Sequence, residues 1–373
     1  MKAGWKLVNL GDHCRIRTGK KDVNQGNPTG EYSFFTCAAA HTFSDSYSFD
    51  AEALLIAGNG DVGKVSYYKG KFEAYQRTYV LTEFSGVLPR FLFLILDGKL
   101  KETVSKQKLG NTMPYIKVGM LTDFQFPLPP LPEQRRIVGI LDEAFAGIAT
   151  ARAHADQNRQ NARALFESHL HSTQRGKGWV EKSLDNISLE FGRGKSKHRP
   201  RNDPKLYGGK YPFIQTGDVR NSTHIIETYS QTYNDSGLAQ SKLWPAGTLC
   251  ITIAANIAET GILGFDACFP DSVIGVVVDQ KQTSTKFLEY LLQSVKARLQ
   301  ALGKGSAQAN INLGTFENER FSFPSLAEQK KITDQLDALQ AETRRLEALY
   351  TRKLAALDEL KAALLHQAFS GML

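Results

Sequence analysis

The chain has 373 residues, 42% of them hydrophobic and 23% charged, which provides for packed cores and rules out a disordered chain. Its formal net charge of +8 favours a polyanionic partner. The start Met1-Lys2-Ala3-Gly4-Trp5-Lys6 has no secretory pattern and no stretch approaches the ~20 apolar residues of a membrane span. Cys14, Cys37, Cys250 and Cys268 never form a Cys-x-x-Cys pair, which argues against a zinc ribbon or a disulfide framework and for a cytoplasmic chain with reduced thiols.

In chain order, the first predicted body covers 1–128. It opens on Trp5-Lys6-Leu7-Val8-Asn9-Leu10 and passes through a polar, basic loop holding Lys20, Lys21, Asn24 and Gln25. Short runs such as Ser66-Tyr67-Tyr68 and Thr78-Tyr79-Val80-Leu81 read as strands, and Pro89 to Lys101 reads as a helix. Between them, Gly58-Asn59-Gly60-Asp61-Val62-Gly63-Lys64 satisfies two phosphate-loop patterns. Val65 stands where such a loop needs Ser or Thr, and a strand rather than a helix follows, so nucleotide binding is not expected. A Gly-centred loop then carries Lys106, Lys108 and Asn111.

Residues 129–173 read as a long helix entered through Pro129, Pro130 and Pro132, residues suited to a first turn whose amides lack partners. Its apolar seam, stepping by four and three, is Ile137, Leu141, Ala144, Ile148, Ala151, Ala155, Asn158, Ala162, Leu165 and His169. A second body, 174–323, opens on Trp179. It carries the most basic segment of the chain, with Arg193, Lys195, Lys197, His198, Arg199 and Arg201 spaced by Gly and Pro. Strands are expected at Leu249–Ile253 and Val273–Val278, and a helix at Thr285–Leu302. The loop after that helix holds Lys304, Ser306 and Gln308 around Gly305. Residues 324–373 form a second long helix, with Ser325 and Glu328 in a capping-box pattern. Its seam is Ile332, Leu336, Leu339, Thr343, Leu346, Tyr350, Lys353, Leu357, Leu360 and Leu364.

The two halves repeat each other. Trp5 matches Trp179, Tyr32-Ser33-Phe34-Phe35-Thr36 matches Tyr211 to Thr216, and Phe126 to Ile137 matches Phe321 to Ile332. The offset grows steadily, as in two copies of one unit whose loops differ in length. The fold class that follows is α+β: two globular heads separated by two long helices in an antiparallel coiled coil, with a pseudo-two-fold repeat. Each helix, roughly 40 residues long, would span about 60 Å. Both basic loops occupy the same place in the repeat, and Lys or Arg in mobile loops suits phosphates and guanine edges.

Leu-Pro-Glu-Gln-Arg-Arg-Ile at 131–137, its echo Leu-Ala-Glu-Gln-Lys-Lys-Ile at 326–332, and Leu-Leu-His-Gln-Ala-Phe-Ser-Gly at 364–371 resemble type I restriction-modification specificity subunits over the whole chain. The resemblance implies a non-catalytic subunit that reads a split, asymmetric site on double-stranded DNA, one head to each half. It also implies partners: two methyltransferase subunits and restriction subunits, which would carry S-adenosylmethionine and ATP while this chain binds no cofactor and no metal. Glu133, Gln134, Arg135, Ile137, Leu141, Glu328, Gln329, Ile332, Leu336, Leu346 and Leu357 are the expected spacer and docking residues. Pro130-Leu131-Pro132 stands where the second copy has Ser325-Leu326-Ala327, so the two docking surfaces need not be identical. The alternatives are a coiled-coil scaffold whose heads bind protein, or an orphan DNA-binding relative.

Overall fold

The computed structural model describes residues 2, 4–38, 40–105, 109–110, 114–173, 176–198, 200–254, 256–304 and 311–373, without the side chains of 302–304. The chain forms two compact units: Met1–Asp156 with Thr351–Leu373, and Gln157–Tyr350. Each takes in a stretch of both long helices, a division different from the four segments read from the sequence.

The first unit contains β1 (Lys6–Asn9), β2 (Arg15–Thr18), β3 (Tyr32–Phe35), β4 (Thr42–Ser44), β5 (Phe49–Ala57), β6 (Val65–Ala74), β7 (Thr78–Thr82), α1 (Pro89–Ser105), α2 (Val118–Thr122), β8 (Gln125–Leu128) and the first part of α3 (Leu131–Ser172). Six strands form one sheet in the order β2-β7-β5-β6-β3-β4, antiparallel except where β3 meets β6. Helix α1 lays Phe91, Leu92, Ile95 and Leu96 over Leu54, Ile56 and Leu81 on one face. Phe35, Leu55, Phe72 and Val80 fill the other, with Phe49 stacked on Phe72 at 5.1 Å. Burial of both faces accounts for the unbroken run Leu54-Leu55-Ile56, where a half-exposed strand would alternate. The Gly58–Lys64 segment turns from β5 into β6, with Gly60 and Gly63 at φ 62° and 81°. A strand follows it, so the strand-to-helix junction of a phosphate loop is not formed there.

The second unit contains β9 (Val180–Lys182), β10 (Ser188–Arg193), β11 (Tyr207–Phe213), α4 (Thr216–Asn221), β12 (Ile225–Ile226), β13 (Gln231–Tyr233), α5 (Asp235–Ala239), β14 (Leu243–Trp244), β15 (Leu249–Thr252), β16 (Thr260–Leu263), β17 (Ala267–Cys268), β18 (Val273–Val278), α6 (Thr285–Ser294), α7 (Lys296–Lys304), α8 (Leu313–Asn318), β19 (Phe321–Phe323) and the first part of α9 (Leu326–Ser370). Here the head has two sheets, β10-β18-β15-β16-β12 and β13-β11-β17-β14. The helix expected over Thr285–Leu302 is broken at Val295, whose ψ of 7° leaves the helical range.

A common frame underlies these different heads. In the first unit β1 pairs with β8, Lys6 opposite Leu128; in the second β9 pairs with β19, Val180 opposite Phe323. The Trp-led opening and the Phe-x-Phe/Pro segment, the best-matched pieces of the repeat, are therefore partners in one two-stranded ribbon. Directly after each ribbon a helix starts, and a buried glutamine ties it down. Gln134, 0% exposed, accepts from the Leu88 amide at 2.8 Å and donates to the carbonyls of Gly86 (3.0 Å) and Pro129 (2.8 Å). Gln329, 1% exposed, accepts from the Ser284 amide (3.1 Å) and the Thr283 hydroxyl (3.0 Å), and donates to the carbonyls of Gln282 (3.2 Å) and Pro324 (3.1 Å). An amide side chain has two donors and one double acceptor, and both clamps use both ends.

The helices pair antiparallel in each unit. In the first, Arg152 bonds Asp358, the Lys361 ammonium lies 5.3 Å from the centre of the Phe145 ring, and Arg136 donates to the Leu373 carbonyl at 2.6 Å. In the second, Arg163 bonds Glu347 and the Thr343 hydroxyl reaches the Ala162 carbonyl at 3.5 Å. The strict four-three seam holds only in part. Beyond Ala155 the covered residues of α3 are Arg159, Ala162, Phe166 and Leu170, while Asn158, Leu165 and His169 are exposed. On α9, Lys353 and Leu360 are exposed and Leu354 takes part instead. The covered stripe advances at close to the ~3.6 residues per turn of a straight helix, so a heptad register drifts out of it.

A polar cluster sits between the second head and α9. His224 Nδ1 is 2.6 Å from Glu289, its Nε2 contacts Gln340, the Tyr290 hydroxyl donates to Asp337 at 2.7 Å, and Lys286 pairs with Asp337 at 2.6 Å. Arg90 with Asp142, at 2.6 Å, is the first-unit counterpart of Lys286 with Asp337, but Phe93 and Leu94 replace Glu289 and Tyr290 there. Burial disfavours the His224 cation, yet the Glu289 carboxylate and the Gln340 oxygen outweigh it and leave its pKa raised above 6.5. A raised folded pKa gives stability that is complete below the unfolded value and lost as pH rises through the folded one. Thermal denaturation of wild type and His224→Gln should therefore differ by about 2–4 °C at pH 6 and converge towards pH 8.5. A pH-independent difference would contradict this.

Candidate nucleic-acid interface

The two basic loops leave their edge strands through the same corner. Gly19 follows β2 and Gly194 follows β10. A methyl group on Gly19 would lie 1.8 Å from the Ala74 carbonyl oxygen, and one on Gly194 2.3 Å from that of Phe269. Only glycine lets the backbone cross this close to a neighbouring segment. Each glycine is followed by an exposed lysine, Lys20 and Lys195.

Beyond the corner the expected contacts divide. In the first loop Lys20 and Asn24 are exposed. Lys21 is not available to a phosphate: its ammonium bonds the hydroxyls of Ser44 (2.8 Å) and Ser46 (2.6 Å) and lies 3.4 Å from the fully buried Glu73 carboxylate. It is the counter-ion of a core carboxylate, which corrects the expectation from its loop position. Gln25 is exposed too, with its side-chain oxygen accepting from the Asp22 amide at 2.7 Å within its own loop.

In the second loop Asp271 gathers two of the cations. Arg201 bonds both of its carboxylate oxygens, at 2.6 and 2.7 Å, and Arg193 donates to its carbonyl at 2.7 Å. His198 lies 2.9 Å from Asp203. Among the described residues of the loop, Lys195 and Lys197 are its exposed cations without an ion pair or side-chain hydrogen bond. Lys106, Lys108, Asn111, Arg199, Ser306 and Gln308 lie outside the described residues, as does the side chain of Lys304.

Beside the second loop is a cavity of about 380 Å³ whose walls include Arg201, Asn202, Tyr207, Gln215 and Gln231. The Gln215 amide donates to the Gln231 side-chain oxygen at 2.7 Å. That bond orients the Gln231 amide, a group whose donor and acceptor match an adenine edge. The sequence singled out neither glutamine, although Gln215 lies in the repeated Tyr211–Thr216 segment. Replacing Lys20, Lys195 and Lys197 together by Ala should weaken duplex binding at least tenfold and lower the slope of log affinity against log salt by about 2–3. An unchanged slope would remove these lysines from the interface.

On the long helices, Gln134, Ile137, Leu141, Gln329 and Leu336 are buried within their own units, and Ile332, Leu346 and Leu357 are half-buried. The buried side chains hold the frame together and offer no face to a docking partner, which corrects that part of their expected role. Glu133 pairs with Arg136 and with Lys2, contacts that hold its carboxyl down to about 2. Glu328 does not close a reciprocal capping box; it accepts from the Trp179 indole at 3.2 Å, while the Ser325 hydroxyl accepts from the Glu328 amide at 3.3 Å. Of the expected docking residues Arg135 and Glu328 are exposed, as are Leu131 and its repeat mate Leu326 beside them.

The chain matches a family model described as type I restriction modification DNA specificity domain, twice, over residues 2–155 and 176–354. It is 27% identical to the type I restriction enzyme EcoDI specificity subunit of Escherichia coli, over 99% of this chain and 88% of that one. It is 23% identical to the EcoBI specificity subunit of the same organism, over 95% of this chain and 79% of that one. Among solved structures, a chain from a study of complex assembly and conformational transition of the type I R-M system superposes with a TM-score of 0.79 at 19% identity, covering 100% and 99% of the two chains. The HsdS subunit from Thermoanaerobacter tengcongensis superposes at 0.63, again with 19% identity, over 100% and 98%. These likenesses bear out the mixed α/β, two-headed, two-helix repeat expected from the sequence. No described helix is long and apolar enough to cross a membrane.

Proposed function

From the premise that this chain belongs to the type I restriction-modification DNA specificity family, we propose that it reads a two-part, asymmetric DNA sequence, one head to each half-site. Its function is DNA sequence specificity. One observation carries the two-part reading: a single frame of strand ribbon, clamped helix and Gly-Lys corner occurs twice, bearing two different heads. Repetition of the frame supports two equivalent encounters with the duplex, and the unlike sheets and cavities of the heads support two different base sequences.

Under this reading the chain itself catalyses nothing. Two methyltransferase subunits would dock near the exposed helix starts around Leu131 and Leu326, and restriction subunits would join the larger complex. S-adenosylmethionine and ATP would belong to those partners. The cellular setting that fits is the cytoplasm, where the DNA is. The protein-binding scaffold has no observation in its favour that the family match does not explain better.

The test is to co-purify the chain with its neighbouring methyltransferase and to map methylated adenines across the genome with and without it. A split motif that loses methylation when the chain is absent supports the reading and gives the site. Retention of no partner together with an unchanged methylation map overturns it.

A further inference from the structure

Two ion pairs that join the long helices are related by the repeat. At the offset of 195 that aligns Ile137 with Ile332, Arg152 falls on Glu347 and Arg163 falls on Asp358. The pair Arg152–Asp358 in the first unit is thus the repeat mate of Arg163–Glu347 in the second. The geometry repeats while the charges reverse. Both cations lie on α3 and both anions lie on α9.

This arrangement has a consequence for what each helix accepts. Two copies of α3 set in the same antiparallel register would place Arg152 of one opposite Arg163 of the other, twice. Two copies of α9 would place Glu347 opposite Asp358, twice. Only α3 against α9 brings opposite charges together at both places. The covered stripe does not make this distinction, because it is mostly apolar on both helices. We propose that residues 152, 163, 347 and 358 form a pairing code that makes each half of the chain selective for the unlike half and closes the helices within one chain rather than between two copies. A particle then presents one head of each kind, which an asymmetric DNA site requires.

The two pairs lie at the surface, with side-chain exposures of 46% and 63% for Arg152 and Asp358, and 61% and 27% for Arg163 and Glu347. Exposed pairs stabilise a fold weakly. Selectivity is a difference, however, and here every attractive contact in one arrangement becomes a repulsive one in the other.

The code can be rewritten in the full-length chain. Arg152→Glu with Glu347→Arg makes both intrachain pairs repulsive and both same-helix pairings attractive. Arg163→Glu with Asp358→Arg does the same through the other two positions, so a folding defect peculiar to one variant does not decide the outcome. A third variant exchanges both pairs at once, Arg152→Glu with Asp358→Arg and Arg163→Glu with Glu347→Arg. It keeps the wild-type preference, because the intrachain pairs stay attractive and both same-helix pairings stay repulsive. Light scattering after size exclusion, and capture of a second, differently tagged copy on co-expression, would measure self-association. The first two variants should self-associate on the order of tenfold or more tightly than the third, and 1 M salt should reduce that gap. If the first two remain as monomeric as the third over the same concentration range, the four residues do not set the pairing and the proposal fails.

Discussion

Lys21→Ala is expected to cost the first unit about 2–4 kcal/mol, lowering its melting temperature by roughly 5–12 °C. The reason is the Glu73 carboxylate. It is fully buried, and after the substitution it keeps only the Ser48 hydroxyl at 2.8 Å and the Ala74 amide at 3.0 Å. Removing one partner of a buried pair leaves an uncompensated charge, which is worse than having no pair at all. The 24% exposure of the Lys21 side chain moderates the effect, and so the estimate lies below the range for fully buried pairs. Glu73→Gln in the same chain should restore most of the loss, because a neutral amide needs no counter-ion. DNA binding by the folded variant should keep its wild-type salt slope. A lowered slope with an unchanged melting temperature would return Lys21 to the phosphate-binding group and refute its structural assignment.

Gln329→Ala should destabilise the second unit by about 2–4 kcal/mol. It takes a partner from the Ser284 amide and from the carbonyls of Gln282 and Pro324, and leaves the fully buried Thr283 hydroxyl with the Ser284 carbonyl at 3.3 Å. Gln329→Glu should be worse than Ala at neutral pH, since its carboxylate faces those two carbonyls with no donor and adds a buried charge. Gln134→Ala should act in the same sense on the first unit alone. The two clamps share no partner, so calorimetry of the double variant should show the two losses adding within about 0.5 kcal/mol. If Gln329→Glu melts at the wild-type temperature, the clamp does not anchor the helix.

The frame is legible in the sequence because it is repeated. Trp5 and Trp179, and Phe126 and Phe321, stand at the same places in both copies, although the two strands of each ribbon lie far apart in the chain and their pairing is visible only in the structure. Val273–Val278 is a strand at the expected bounds because six apolar, mostly β-branched residues in a row fit few other structures. Contacts at a distance were not legible. The role of Lys21 depends on Glu73, 52 positions later, and the latching of Arg201 depends on Asp271, 70 positions later. Gln134 and Gln329 were noticed as parts of a repeated motif, but polar residues near a helix start read as surface until their buried partners are known. A fixed heptad departs from the covered stripe beyond Ala155 because the helices run nearly straight. The heads were the least legible part: one sheet in the first and two in the second came from segments that share almost no sequence.

The glutamine clamps also bear on how such a chain can change. Gln134 grips the main chain of Gly86, Leu88 and Pro129, and Gln329 grips the main chain of Gln282, Ser284 and Pro324, with Thr283 the one side chain involved. A socket lined by peptide groups does not register which side chains the head carries. A head could be exchanged by recombination, or drift far in sequence, and still seat on its helix as long as the backbone of that short loop keeps its course. The attachment is therefore a repeated fitting for interchangeable readers, and new sequence preferences can arise without rebuilding the part that holds them.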